Sequence, residues 1–142
     1  MTAPSPAEAV LYSALGLAAL ALGGALGAPL RLVLERHLSR RGILVANTLA
    51  ALVLGLSMGL PTANLLVERH LLGGAMLLGA ALVSGFCLAL GTWSTVAGWT
   101  ADAVLASRWG EAVRTWAAHL GLGLAAVIGG WGAGHALSAA LG

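Results

Sequence analysis

The chain has 142 residues, of which 59% are apolar and 8% charged, with a net charge of +2 and a mean hydropathy of +0.94; soluble domains run at roughly 45–50% and 25%. Seven basic and five acidic residues cannot give a domain this apolar the polar shell it would need in water, so its solvent is the bilayer. Every basic residue is arginine and no basic run exceeds Arg40-Arg41, which argues against a nucleic-acid-binding surface. The one cysteine, Cys87, lies in an apolar run; it rules out a disulfide framework and reads as a small buried apolar residue.

In chain order, charged residues bound four apolar stretches. Ala9 to Leu30 carries no charge between Glu8 and Arg31, enough for the ~20 residues that cross a hydrocarbon core of about 30 Å, and the first span is placed at about 9–33. Met1 to Ala9 has no basic residue, so a cleaved signal peptide is not expected. Gly42 to Val67 is also uncharged, and Pro61-Thr62-Ala63-Asn64 closes it early, giving a second span at about 42–60 and then a short polar loop. Leu71 to Ala101 is too long for one straight crossing and too short for two. The third span, about 71–104, is therefore expected to be one helix broken near residues 90–95, where Gly91 and the hydroxyls of Thr92, Ser94 and Thr95 interrupt the helix formers. A fourth span occupies about 113–141. The short connections predict a single all-α membrane domain over residues 1–142. Gly23 with Gly27, Gly55 with Gly59 and Gly130 with Gly134 offer small surfaces for close helix approach.

Four spans put the first and third loops on one side of the membrane and both termini with the second loop on the other. The first and third loops hold Arg31, Arg36, Arg40, Arg41, Arg108 and Arg114, whereas the opposite side has only Arg69. By the positive-inside rule both termini are expected outside.

Polar groups within the spans are few and costly to bury. Asn47, about five residues into the second span, offers two amide donors either to an anion or to a neighbouring helix. Thr92, Ser94 and Thr95 either cap the half-helices of the break or line a pathway, and a real break would free carbonyls for a cation and a helix N-terminus for an anion. His119 faces the interior as a neutral helix-to-helix hydrogen-bonding group or as a proton relay; His135, sixteen residues on, points about 160° away, so the two are no metal pair. The five tryptophans suit interface or packing positions, except that Trp93 falls in the break. No spaced metal-ligand cluster, phosphate loop or nucleophile with a base is present, and Glu8, Glu35, Glu68, Asp102 and Glu111 all flank spans. Catalysis is not expected, and a proton- or cation-coupled carrier lacks its usual intramembrane acid.

Three ordered motifs carry a resemblance. Gly23-Gly24-Ala25-Leu26-Gly27-Ala28-Pro29-Leu30-Arg31, then Gly42-Ile43-Leu44-Val45-Ala46-Asn47-Thr48-Leu49 with Gly55, then Gly85-Phe86-Cys87 followed by Thr92-Trp93-Ser94-Thr95, together resemble the CrcB/Fluc fluoride channels. The resemblance implies an antiparallel, dual-topology-type dimer of four-helix subunits that conducts fluoride passively through two pores, with a structural Na+ held at the dimer centre by backbone carbonyls of the broken third helices. Carried over by residue, it implies Asn47 as a pore donor, Leu90 and Trp93 at the places of two pore phenylalanines, and Ser94 and Thr95 in the polar lining. It further implies His119 in place of a serine of the polar track, Gly91 and Thr92 at the Na+ site, and Arg31 at the vestibule. Partly dehydrated fluoride needs donors and positive aromatic edges rather than a fixed charge.

Leu90, Gly91 and Trp93 depart from the family pattern, and Trp99 stands where a Glu is expected, with Asp102 three residues later. Together with the six-to-one arginine bias, these departures lead to the expectation of one half of a heterodimer with a homologous chain of opposite orientation, in preference to a homodimer. The expected location is the cell membrane, with lipid and fluoride as the other partners. A small multidrug-resistance-like transporter, a non-conducting membrane scaffold subunit and a proton-coupled exchanger using His119 are the alternative readings.

Overall fold

A computed structural model describes residues 5–60 and 72–141 of the chain. The polar loop with Glu68, Arg69 and His70, and the Pro61–Asn64 close of the second span, lie outside the described residues. Helix α1 covers Pro6–Leu38, α2 Arg40–Gly59, α3 Leu72–Leu90, α4 Trp93–Leu105 and α5 Trp109–Leu141. By length and composition four helices can cross a membrane, α3 and α4 counting together as one over Leu77–Leu105.

Helix α1 starts at a capping box in which the Glu8 N–H donates to Ser5 Oγ (3.3 Å) and the Ser5 N–H donates to Glu8 Oε2 (2.7 Å). Its 33 residues continue through Pro29 to Leu38, and at 1.5 Å per residue they reach about 50 Å, beyond the hydrocarbon core. The last helix likewise begins at Trp109, ahead of the span expected from about 113, with Glu111 in its first turn. Charges mark where the hydrocarbon ends, not where the hydrogen-bond ladder ends, so both helices outrun the spans drawn from the sequence. Two residues with positive φ, Ser39 (51°) and Ser107 (57°), make the tight connections between α1 and α2 and between α4 and α5.

The helices associate as two pairs of parallel neighbours, α1 with α3 and α2 with α5, while α4 folds back on α5. Glycine sets both pair contacts. A Cβ on Gly23 would land on the Leu82 carbonyl, one on Gly27 on the Phe86 carbonyl, and one on Gly85 on the Leu20 carbonyl. In the other pair Gly55 and Gly59 lie against the backbone of Val127 and Trp131, and Gly130 and Gly134 against Leu52 and Leu56. Backbones this close gain dispersion contact that lipid chains would not supply, which is how small residues drive helix association in a bilayer. The three glycine pairs singled out in the sequence all lie at these crossings.

Between the pairs, Ala46, Ala50 and Leu90 form a buried cluster flanked by Leu34, Phe86 and Cys87. At one end Arg40 Nη1 meets Glu111 Oε1 at 2.9 Å, Arg108 Nη1 meets Glu111 Oε2 at 2.6 Å, and the Arg40 guanidinium lies 5.5 Å from the centre of the Trp99 ring. These contacts bring the first and third connections, and their arginines, to the same end of the bundle. Aliphatic side chains on the outer faces, such as Leu22, Leu26 and Ile128, are exposed, as lipid-facing residues are.

Replacing Gly23 or Gly55 by Val is expected to destabilise the subunit by at least about 1–3 kcal/mol, since a backbone carbonyl must move. Gly16→Ala, with open space around it, is expected to be neutral or slightly stabilising. Unfolding titrations in mixed micelles compare the three.

Candidate functional site

The site begins with the interruption between α3 and α4. Gly91 still donates to the Cys87 carbonyl (2.9 Å), but Thr92 leaves the helix with extended backbone (φ −147°, ψ 112°). Its N–H cannot continue the ladder to Leu88 and donates instead to Asn47 Oδ1 on α2 at 2.7 Å. Asn47 Nδ2 in turn donates to the Thr92 carbonyl at 3.3 Å. One side-chain amide thus pairs with both backbone groups of a single residue, much as a neighbouring strand would. In a medium without water each of those groups would otherwise cost several kcal/mol. The Thr92 hydroxyl, 8% exposed with its residue, makes no backbone cap; it lies 3.1 Å from Ser94 Oγ and 3.2 Å from Thr95 Oγ1.

The second Asn47 contact reaches across the bundle. Nδ2 is 3.1 Å from Nδ1 of His119 on α5, a residue 6% exposed. Asn47 therefore ties together α2, the α3–α4 break and α5. Beside it opens a cavity of about 590 Å³ between α2, α3 and α5. Asn47, Gly91, Trp93 and His119 form its polar end, and Ala50, Ala51, Leu54, Leu88, Leu120, Leu124 and Val127 supply apolar wall. Trp93, half exposed, stands against Trp116 with ring centres 5.5 Å apart. Among the described residues no acidic residue lines this cavity, and no group of three His, Cys, Asp or Glu is placed to hold a metal.

Four of the residues singled out in the sequence, Asn47, Gly91, Trp93 and His119, thus meet on one cavity, and Thr92 adjoins them through Asn47. Leu90 does not join them: at 1% exposure it packs with Ala46 and Ala50, because the register fixed by Gly27 against Phe86 and Leu90 turns it to the core. Ser94 and Thr95 are also absent from the wall, their hydroxyls being turned to Thr92. Arg31 sits on α1 beside Glu35, Nε to Oε1 3.2 Å. His135 is exposed and stacked on Trp131, apart from His119. The sequence reading missed Ser84, Leu88, Gly123 and Val127 and read Cys87 only as a packing residue, although all line the cavity. The signal was present as a three-to-four-residue spacing: 47, 51 and 54 on α2, 84, 88 and 91 on α3, and 120, 124 and 127 on α5.

The family model described as CrcB-like protein, Camphor Resistance (CrcB), matches residues 18–131, a stretch that includes every residue of the cavity. No curated protein and no solved structure matches the chain.

Asn47→Ala is expected to cost at least about 1–3 kcal/mol, the penalty for leaving even one buried backbone group unpaired. Amide hydrogen exchange at Thr92 is expected to speed up in the variant while exchange at Ala126, in the middle of α5, stays slow.

Proposed function

The chain belongs to the CrcB family, and on that premise we propose that it is a subunit of a passive, fluoride-selective channel of the cell membrane that exports cytoplasmic fluoride. The observation that carries this reading is the cavity among the membrane helices, whose polar end holds neutral donors and the Trp93 ring and, among the described residues, has no carboxylate in its wall. Such a lining suits a small anion moving through low dielectric. Donors and ring edges replace part of its lost hydration, and the absence of a full positive charge lets it leave again. A cation or proton exchanger would want an acid in the same place. Transport needs no coupling: neutral HF enters, dissociates in a less acidic cytoplasm, and the trapped anion is driven out by an inside-negative potential at ~2.3 kcal/mol per 100 mV.

The broken third crossing is assigned a structural Na+. Past Gly91 the ladder stops, so the last carbonyls of α3 lack helical donors, and Thr92 O keeps a lone pair beyond its long contact with Asn47. Oxygen donors of this kind fit a hard monovalent cation. The Gly91 and Thr92 carbonyls would hold the ion, whose role is to fix the break and neutralise its carbonyl dipoles, and a second subunit would complete the shell.

The assembly we favour is an antiparallel heterodimer. Six arginines in the sequence of the first and third connections against Arg69 alone in the second commit this chain to one orientation, termini outside, so that a homologue with the opposite bias must supply the antiparallel half. Leu90, turned to the core, leaves one aromatic position for that partner to fill, whereas Trp93 keeps a ring at the cavity.

Fluoride efflux from liposomes, with chloride as the control and stoichiometry fixed by crosslinking, tests the reading. Silence of this chain alone, with fluoride-selective efflux restored by an oppositely biased homologue, is the expected result. Efflux from a homodimer would remove the heterodimer, and silence in both preparations would leave a scaffold subunit. In a Cys87→Ala background, Ser5→Cys is expected to react with an impermeant thiol reagent in intact cells and Ser107→Cys only after permeabilisation. Half-labelling of both would show dual insertion.

A further inference from the structure

Hydrogen-bond geometry at the break fixes the chemical state of His119. Thr92 N–H can only donate, so the Asn47 atom 2.7 Å from it is the amide oxygen. The other end of that amide is then the NH2 group, which directs one hydrogen to the Thr92 carbonyl at 3.3 Å and the other to Nδ1 of His119 at 3.1 Å. A group with only hydrogens to offer needs a lone pair opposite. Nδ1 of His119 is therefore unprotonated, and the neutral ring carries its proton on Nε2.

Two consequences follow for an anion in the cavity. Both Asn47 hydrogens are engaged within the subunit, and its oxygen presents only lone-pair density, which repels an anion. Nε2–H of His119, by contrast, has no protein acceptor among the described residues and is not sealed from the cavity, whose wall His119 forms beside Trp93. The bonds run in one direction, from the Thr92 N–H through the Asn47 amide to Nδ1. Each polarises the next and makes Nε2–H a stronger donor than an isolated imidazole.

We propose that Nε2–H of His119 is the donor this subunit presents to the conducted fluoride, and that Asn47 is a positioning residue that sets the imidazole tautomer without touching the ion. This role rests on the fluoride-channel reading. It assigns selectivity to a neutral ring N–H, which favours the smallest and hardest halide because the donor can approach it most closely.

The experiment uses the full chain, alone or with whichever homologue is needed for efflux, and combines flux with nitrogen NMR of 15N-histidine-labelled protein. His119→Gln identifies the His119 signals, and exposed His135 is the internal reference. At neutral to mildly alkaline pH the expected pattern is a proton on Nε2 alone, with an Nε2–H signal that moves on adding NaF and much less on adding the same NaCl. In Asn47→Ala the two tautomers are expected to mix. Efflux is expected to fall about tenfold or more in His119→Leu, the loss of one hydrogen bond to a charged group, and to recover in part in His119→Gln, whose amide restores a donor. A proton on Nδ1 in the wild type, or an Nε2–H signal indifferent to NaF in a conducting preparation, overturns the proposal. So does undiminished efflux in His119→Leu. Absence of wild-type efflux with and without the homologue instead defeats the channel reading itself.

Discussion

The structure depends on one side-chain amide pairing with one backbone residue. A helix that stops inside a bilayer strands donors and acceptors where no water can reach them, and the chain tolerates the stop after Gly91 only because Asn47 meets both the N–H and the carbonyl of Thr92. Without that pairing, the carbonyls freed at the end of α3 and the start of a new helix at Trp93 would be a defect. With it, they form a fixed polar point in the middle of an apolar bundle.

The glycine contacts deliver Asn47 to that point. Close approach of α2 and α5 through Gly55, Gly59, Gly130 and Gly134 sets their register, and the same register brings Asn47 within 3.1 Å of His119, 72 positions along the chain. The parallel pairing of α1 and α3 through Gly23, Gly27 and Gly85 holds the third crossing so that Gly91 faces α2. Packing density and polar satisfaction are thus coupled. A side chain added at any of these glycines would separate the helices and pull the amide off its partners.

What results is a cavity with chemistry at one end and hydrocarbon elsewhere. Charged residues stay at the membrane ends, where Arg40 and Arg108 are neutralised in part by Glu111 and Arg31 lies beside Glu35. Dipoles alone, from an amide, an imidazole and an indole, act near the centre. That separation suits the proposed low-dielectric passage for a small anion, because a full charge there would either hold the ion or cost too much to bury.

The sequence by itself determined the solvent, the number of crossings, the glycine pairs at the helix contacts and the sharing of one end by the first and third connections. All follow from composition, length and charge along a single line of residues. It also carried the motifs of the family and named Asn47 and His119 separately. It could not set helix ends, which run past the charges wherever the backbone ladder extends beyond hydrocarbon. Nor could it tell that Leu90 turns to the core while Leu88 faces the cavity, since that depends on the rotation of α3 against α1. Only the tertiary structure decided that Asn47 and His119 meet, the contact from which the tautomer of the ring is inferred. Spacing along a chain gives the face of a helix, whereas the partner of that face is chosen by how the helices pack.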